Sequence, residues 1–158
     1  MVGRYGQFLY TMFEVKDDSL LWRQPKNISV ETGDHLLIGM ETFEGKLARY
    51  VVAPYESGWV NAYKLADNAR SNRAIENALS IQGRWQETAE GYNIELRFPL
   101  SMTAGGLAFT LVDVDDPDTR ATQYALGTAN TKILSELGTV ITPSPEIERI
   151  LAGLKYTD

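Results

Sequence analysis

Four aspartates crowd one short stretch, Asp113, Asp115, Asp116 and Asp118, at what reads as the end of a strand. Closely spaced carboxylates suit a hard cation that takes oxygen ligands, and calcium is the natural candidate. Asp113, Asp115 and Asp116 are therefore the expected metal ligands. The run lacks the glycine and distal glutamate of an EF-hand loop, and Pro117 stiffens it. A second reading stays open beside the first: a solvated strand end whose carboxylates cap a turn through local backbone hydrogen bonds.

The aromatics form the other set with chemical potential. Trp59, Asn61 and Tyr63 alternate along one face of a strand expected over residues 58–63, with Arg49 on the preceding strand and Trp22 near a turn. Tryptophan faces stack against sugar rings or apolar ligands, while Arg and Asn fix their orientation. Trp59, Asn61, Tyr63, Arg49 and Trp22 are the expected ligand-binding residues. Trp85, on a strand leading into a hairpin, is expected in the core. For Trp59 the site and core readings balance.

Catalytic machinery is not expected. The single histidine, His35, opens a strand without a second His or a Cys to form a dyad. No nucleophile elbow, phosphate-binding loop or dinucleotide fingerprint occurs, and Gly105-Gly106 reads as a turn. The absence of cysteine removes disulfides, thiolate nucleophiles and thiolate zinc sites together. A net charge of -6 without a Lys/Arg cluster argues against nucleic acid as a partner. With 158 residues, 44% hydrophobic and 23% charged, one domain with an ordinary core is expected. No signal peptide or membrane-spanning run is read from the residues, and the early first strand suggests a piece of a longer protein.

The elements that must position these residues are mostly strands. Gln7–Val15 is almost continuously apolar and aromatic, which predicts a central strand covered on both faces. Strands are expected over 35–40, 47–53 and 58–63, with Gly45 in the hairpin between the first two. One or two helical turns are expected within 66–79. Tyr92, Ile94, Leu96 and Phe98 alternate with Asn93, Glu95 and Arg97, so that strand buries one face and wets the other. Gly91 supplies a turn before it and Pro99 ends it. Strands over 81–88 and 107–114 flank it, and short edge strands are expected at 124–127 and 138–141. Ser144 as N-cap, Pro145 at the first helical position and the stripe Ile147, Ile150, Leu151, Leu154 predict a C-terminal helix. The expected fold is mainly β: an antiparallel, jelly-roll-like β-sandwich of about eight strands over 1–143, with a short helix over 144–158.

Four segments in order, GQFLYTMFEVKDDS, GDHLLIGM, GRWQETAEGYNIELRFPLSM and LAFTLVDVDD, resemble extracytoplasmic β-sandwich domains related to xylanase-type carbohydrate-binding modules and the DOMON group. That pattern has a first strand ending in an acidic pair, a strand opened by an acid, a Gly-Tyr-x-x-Glu strand closed by Pro, and a last strand ending in Asp. It also implies a strand before Gln7, which reads as missing or trimmed in this sequence. More closely, GWVNAY, GRWQETAEGY, DVDDP and GTVITPSPEIERIL look like the sensor region of the histidine kinase of the proteobacterial dedicated sortase system.

That second resemblance implies a periplasmic sensing domain of an inner-membrane kinase, held between membrane helices that lie outside this chain. It implies a homodimeric parent with a cognate response regulator and an envelope ligand, be it glycan, peptide or protein. ATP would serve only the kinase core, and no cofactor beyond the calcium above is expected here. The rival reading is a carbohydrate-binding module of a secreted glycoside hydrolase. A third, a small enzyme using Asp or Glu, has little in the residues to carry it.

Overall fold

Alternation decides the architecture: strands with one apolar face need a partner sheet to bury it. The computed structural model describes residues 1–26, 29–67, 72–116, 118, 121–127 and 137–139, with backbone alone for 121–127, 138 and 139. The front sheet has five strands in the order β1-β2-β9-β8-β5. These are β1 (Val2–Tyr5), β2 (Phe8–Lys16), β5 (Gly58–Trp59), β8 (Gln82–Thr88) and β9 (Gly91–Pro99). The back sheet runs β11-β10-β3-β4-β6-β7, with β12 also paired to β10. Its members are β3 (His35–Glu41), β4 (Leu47–Val52), β6 (Ala62–Leu65), β7 (Ala74–Asn77), β10 (Gly106–Asp116), β11 (Ala121–Gly127) and β12 (Gly138–Thr139). Every pairing is antiparallel.

The main core lies between the sheets. Leu9, Trp85, Tyr92, Ile94, Leu96 and Phe98 from the front meet Leu36, Ile38, Met40, Val52, Leu107, Phe109 and Leu111 from the back. Trp85 stacks on Tyr92 with centroids 4.9 Å apart, and Phe13 meets Phe109 edge-on at 5.1 Å. A second core covers the outer face of the back sheet. There Leu37, Val51, Val112 and Val114 pack with Val30 and Leu21 of the long segment between β2 and β3.

The β-sandwich class agrees with the sequence, and so do the positions of β3, β4, β8, β9 and β10. Trp85 is fully buried, as expected. Four expectations need correction. β2 is not covered on both faces: Tyr10 and Met12 point outward, each 39% exposed, because no covering layer lies over the front sheet's outer face among the described residues. The strand expected over 58–63 is two strands, since the chain leaves the front sheet after Trp59 and joins the back sheet at Ala62. Among the described residues of 66–79, Ala74–Asn77 form β7 instead of a helical turn, because the edge of β6 offers them pairing partners. The strand before Gln7 is present as β1, zipped onto β2 from Val2↔Thr11 to Tyr5↔Phe8. The helix expected from Ser144 lies outside the described residues.

Candidate functional site

Register places two rows of side chains on the open face of the front sheet. Trp59 pairs with Arg84, Arg84 with Glu95 and Glu95 with Met12. Beside it, Gln82 pairs with Arg97, Arg97 with Tyr10 and Tyr10 with Gly3. These rows floor a groove of about 1050 Å³, to which Asn61, Asn77 and Leu79 add one wall. Trp59 is 76% exposed, and the Arg84 guanidinium sits 5.5 Å from its ring centroid. The Arg97 guanidinium donates to Gln82 Oε1 from Nε at 3.2 Å and Nη2 at 2.8 Å, and lies 4.9 Å over the Phe8 ring. The floor therefore offers exposed aromatic faces beside oriented polar groups, an arrangement suited to stacking and hydrogen bonding with a ligand that has both.

The expected ligand-binding residues part company. Trp59 and Asn61 line the groove. Tyr63 borders one end, but its ring packs with the second core, and the Arg23 guanidinium stacks over it at 5.0 Å and over Tyr55 at 4.7 Å. Arg49 lies away from the groove and is 3% exposed, so it cannot join Trp59. Its Nη2 donates to Asn72 Oδ1, and Asn72 Nδ2 donates to Glu31. Burial pulls the Arg49 guanidinium below its ordinary value, while Glu31 opposes that shift. Trp22 is half-buried against the main core. Tyr10, Met12, Arg84 and Arg97 were missed. Their signal was present in the outward positions of β2, β8 and β9, but only sheet order shows that those positions share one face.

The acidic residues regroup as well. Asp17, Asp34 and Asp113 each offer a carboxylate oxygen, and these oxygens all lie within 4.8 Å of one another. Asp17 follows β2, Asp34 immediately precedes β3, and Asp113 lies in β10, so the group forms at one pole of the sandwich. Two glycines allow the approach. Gly91 sits at φ 146°, where a Cβ would lie 2.1 Å from the Val15 carbonyl oxygen and 2.7 Å from the Asp17 nitrogen. A Cβ on Gly33 would lie 2.5 Å from the backbone at Leu21 and Arg23.

Asp34 is a structural hub. Its Oδ1 accepts from the Val114 N–H at 3.0 Å and its Oδ2 from the Leu21 N–H at 3.3 Å. Burial, aided by the charges of Asp17 and Asp113, pushes its carboxyl up to about 8 against the pull of those two N–H donors. Asp113 is also raised, by burial first and then by Asp17, Asp115 and Asp18. Asp115 and Asp116, expected as ligands, fall outside the trio. Asp116 Oδ1 instead accepts from the Asp118 N–H at 2.9 Å, the turn-capping role left open by the sequence. His35 is buried beside Asp34, its Nδ1 2.8 Å from the Gly33 carbonyl oxygen. Burial lowers its imidazole below the ordinary value. Among the described residues, no helix is long and apolar enough to cross a membrane. No family model, curated protein or solved structure matches this chain.

Proposed function

We propose that this chain is the extracytoplasmic sensing domain of a membrane-bound two-component histidine kinase, and that the front-sheet groove receives its envelope ligand. The groove carries the binding half of this reading. Trp59, Tyr10 and Met12 are large apolar side chains left in water on one continuous face, next to Arg84, Arg97 and Gln82. Such a contiguous patch is a mark of an interaction surface. The resemblance of GWVNAY, GRWQETAEGY and DVDDP to the sortase-system sensor carries the kinase half. In that setting the domain is periplasmic and non-catalytic, flanked by membrane helices in a dimeric parent with a cognate response regulator. A ligand would act only by binding one conformational state of that parent more tightly than the other.

The second reading, a carbohydrate-binding module of a secreted hydrolase, is favoured by the pairing of exposed Trp59 with Arg84 on the open sheet face. The gene sequence on either side separates the two. Hydrophobic runs of about 20 residues on both flanks, followed by a kinase core, support the sensor. A signal peptide and a hydrolase domain would overturn it in favour of the module.

The groove is tested independently. Trp59→Ala and Arg84→Ala are screened beside the parent chain against soluble envelope and plant polysaccharides, by affinity electrophoresis and tryptophan fluorescence. Binding lost at unchanged melting temperature places the site in the groove. Binding retained by both variants removes the groove from the proposal.

A further inference from the structure

We propose that Asp17, Asp34 and Asp113 hold a calcium ion at the pole of the sandwich, clamping β2, β3 and β10 together. Distance is the first support. Calcium binds oxygen at about 2.3–2.6 Å, so two ligands on opposite sides of the ion stand about 4.6–5.2 Å apart. Magnesium, at about 2.0–2.1 Å, allows only about 4.2 Å. Three oxygens mutually within 4.8 Å lie inside the span that a single calcium ion bridges.

Side-chain direction is the second support. Phe13 and Val15 pack on the main core, and Asp17 continues their alternation; Asp113 likewise continues Leu107, Phe109 and Leu111. Both aspartates thus take inward positions where the apolar series ends. Oδ2 of Asp17 and Oδ1 of Asp113 are buried without a hydrogen-bond partner among the described residues. The ion pairs among the described residues, Lys16–Glu90, Lys46–Glu44 and Lys64–Glu76, involve none of the three acids. Clustered carboxylates repel one another, which a divalent ion relieves.

The third support is independent of the acids. Tyr92 is fully buried, its hydroxyl has no hydrogen-bond partner among the described residues, and the charges acting on that hydroxyl are those of Asp34, Asp17 and Asp113. A buried hydroxyl that caps none of the neighbouring carboxylates leaves their lone pairs available to a metal. Calcium takes six to eight oxygens, so backbone carbonyls and water would complete the shell. Because Asp34 also holds the Leu21 N–H, the ion would fasten the segment that covers the back sheet.

The test is a CaCl2 titration of the chelator-stripped 158-residue chain by calorimetry and thermal melting, with Tb3+ emission sensitised through Trp85 and Tyr92. One-to-one binding, a melting temperature raised by calcium and sensitised emission are expected. Asp17→Asn and Asp113→Asn should each weaken calcium about tenfold or more, as loss of a charged ligand does. Asp116→Asn should leave the affinity unchanged. Asp17 is half-buried and outside any strand, so its variant is expected to keep the native circular dichroism even should Asp113→Asn fail to fold. A folded parent chain that shows neither heat nor a melting shift overturns the proposal. Binding that survives Asp17→Asn but is lost in Asp116→Asn also overturns it, moving the ion to the loop after β10.

Discussion

The outer faces of the two sheets have opposite fates. On the back sheet, the segment between β2 and β3 folds over Leu37, Val51, Val112 and Val114 and makes a second core, with Thr32 of the cover and Arg49 of β4 also buried. On the front sheet nothing comparable lies over Tyr10, Met12, Trp59 and Arg84 among the described residues. The strand sequences carry the difference. β3, His-Leu-Leu-Ile-Gly-Met-Glu, is buried at six consecutive positions because both of its faces are packed. β9, Gly-Tyr-Asn-Ile-Glu-Leu-Arg-Phe-Pro, alternates because one face stays wet. A covered face stabilises the fold, and an open face with aromatics is free to bind.

The sharpest contrast is within the front sheet. Trp85→Ala, in the main core, should cost about 3–5 kcal/mol in urea unfolding. Trp59→Ala, next to it across β5 and β8, should stay within about 0.5 kcal/mol. Equal costs would mean that Trp59 is a packing residue after all.

Next comes the contrast between faces. Leu37→Ala should lose about 2–5 kcal/mol under the covering segment. Met12→Ala on the open face should lose less than about 1 kcal/mol, since a half-exposed side chain forfeits little buried area. A neutral Leu37→Ala would show that the cover does not form a true second core.

A third measurement probes the pole where the cover is anchored. The Asp34 carboxyl is raised from 3.8 to about 8 in the folded chain, so the folded state keeps a proton that the unfolded state has lost. Its contribution to stability is fully present below the unfolded value and disappears as pH rises through about 8. In chelator, the Asp34 contribution should therefore decline across that window, and Asp34→Asn should flatten the slope of the urea midpoint. An unchanged slope would place the titration elsewhere. The smallest effect is expected for Arg84→Ala, within about 0.5 kcal/mol of the parent chain, because its side chain is exposed and lies over the exposed Trp59 ring.

Much of this fold was legible in local pattern. The period-two alternation of β9, the Gly91 turn and the stop at Pro99 each follow from one residue's geometry, and the structure repeats them. The errors arose where neighbours outweighed pattern. Gln7–Val15 looks like a doubly covered strand, yet Tyr10 and Met12 face solvent, because here the solvent-facing and core-facing positions have similar composition. Residues 58–63 look like one strand, but the chain changes sheets within them, which separates Trp59 from Tyr63 and Arg49.

By itself the sequence determined the β class, the strand carrying the central hairpin, the burial of Trp85 and the presence of acids at strand ends. These follow from side-chain period, turn chemistry and size, all of which act over a few residues. Tertiary structure alone decided which sheet face is covered, which aromatics share a groove, and that Asp17, Asp34 and Asp113 meet while Asp115 and Asp116 stand outside. Those outcomes depend on strand order and on the path of the long segment between β2 and β3. Such long-range pairing leaves no periodic trace in the chain that makes it.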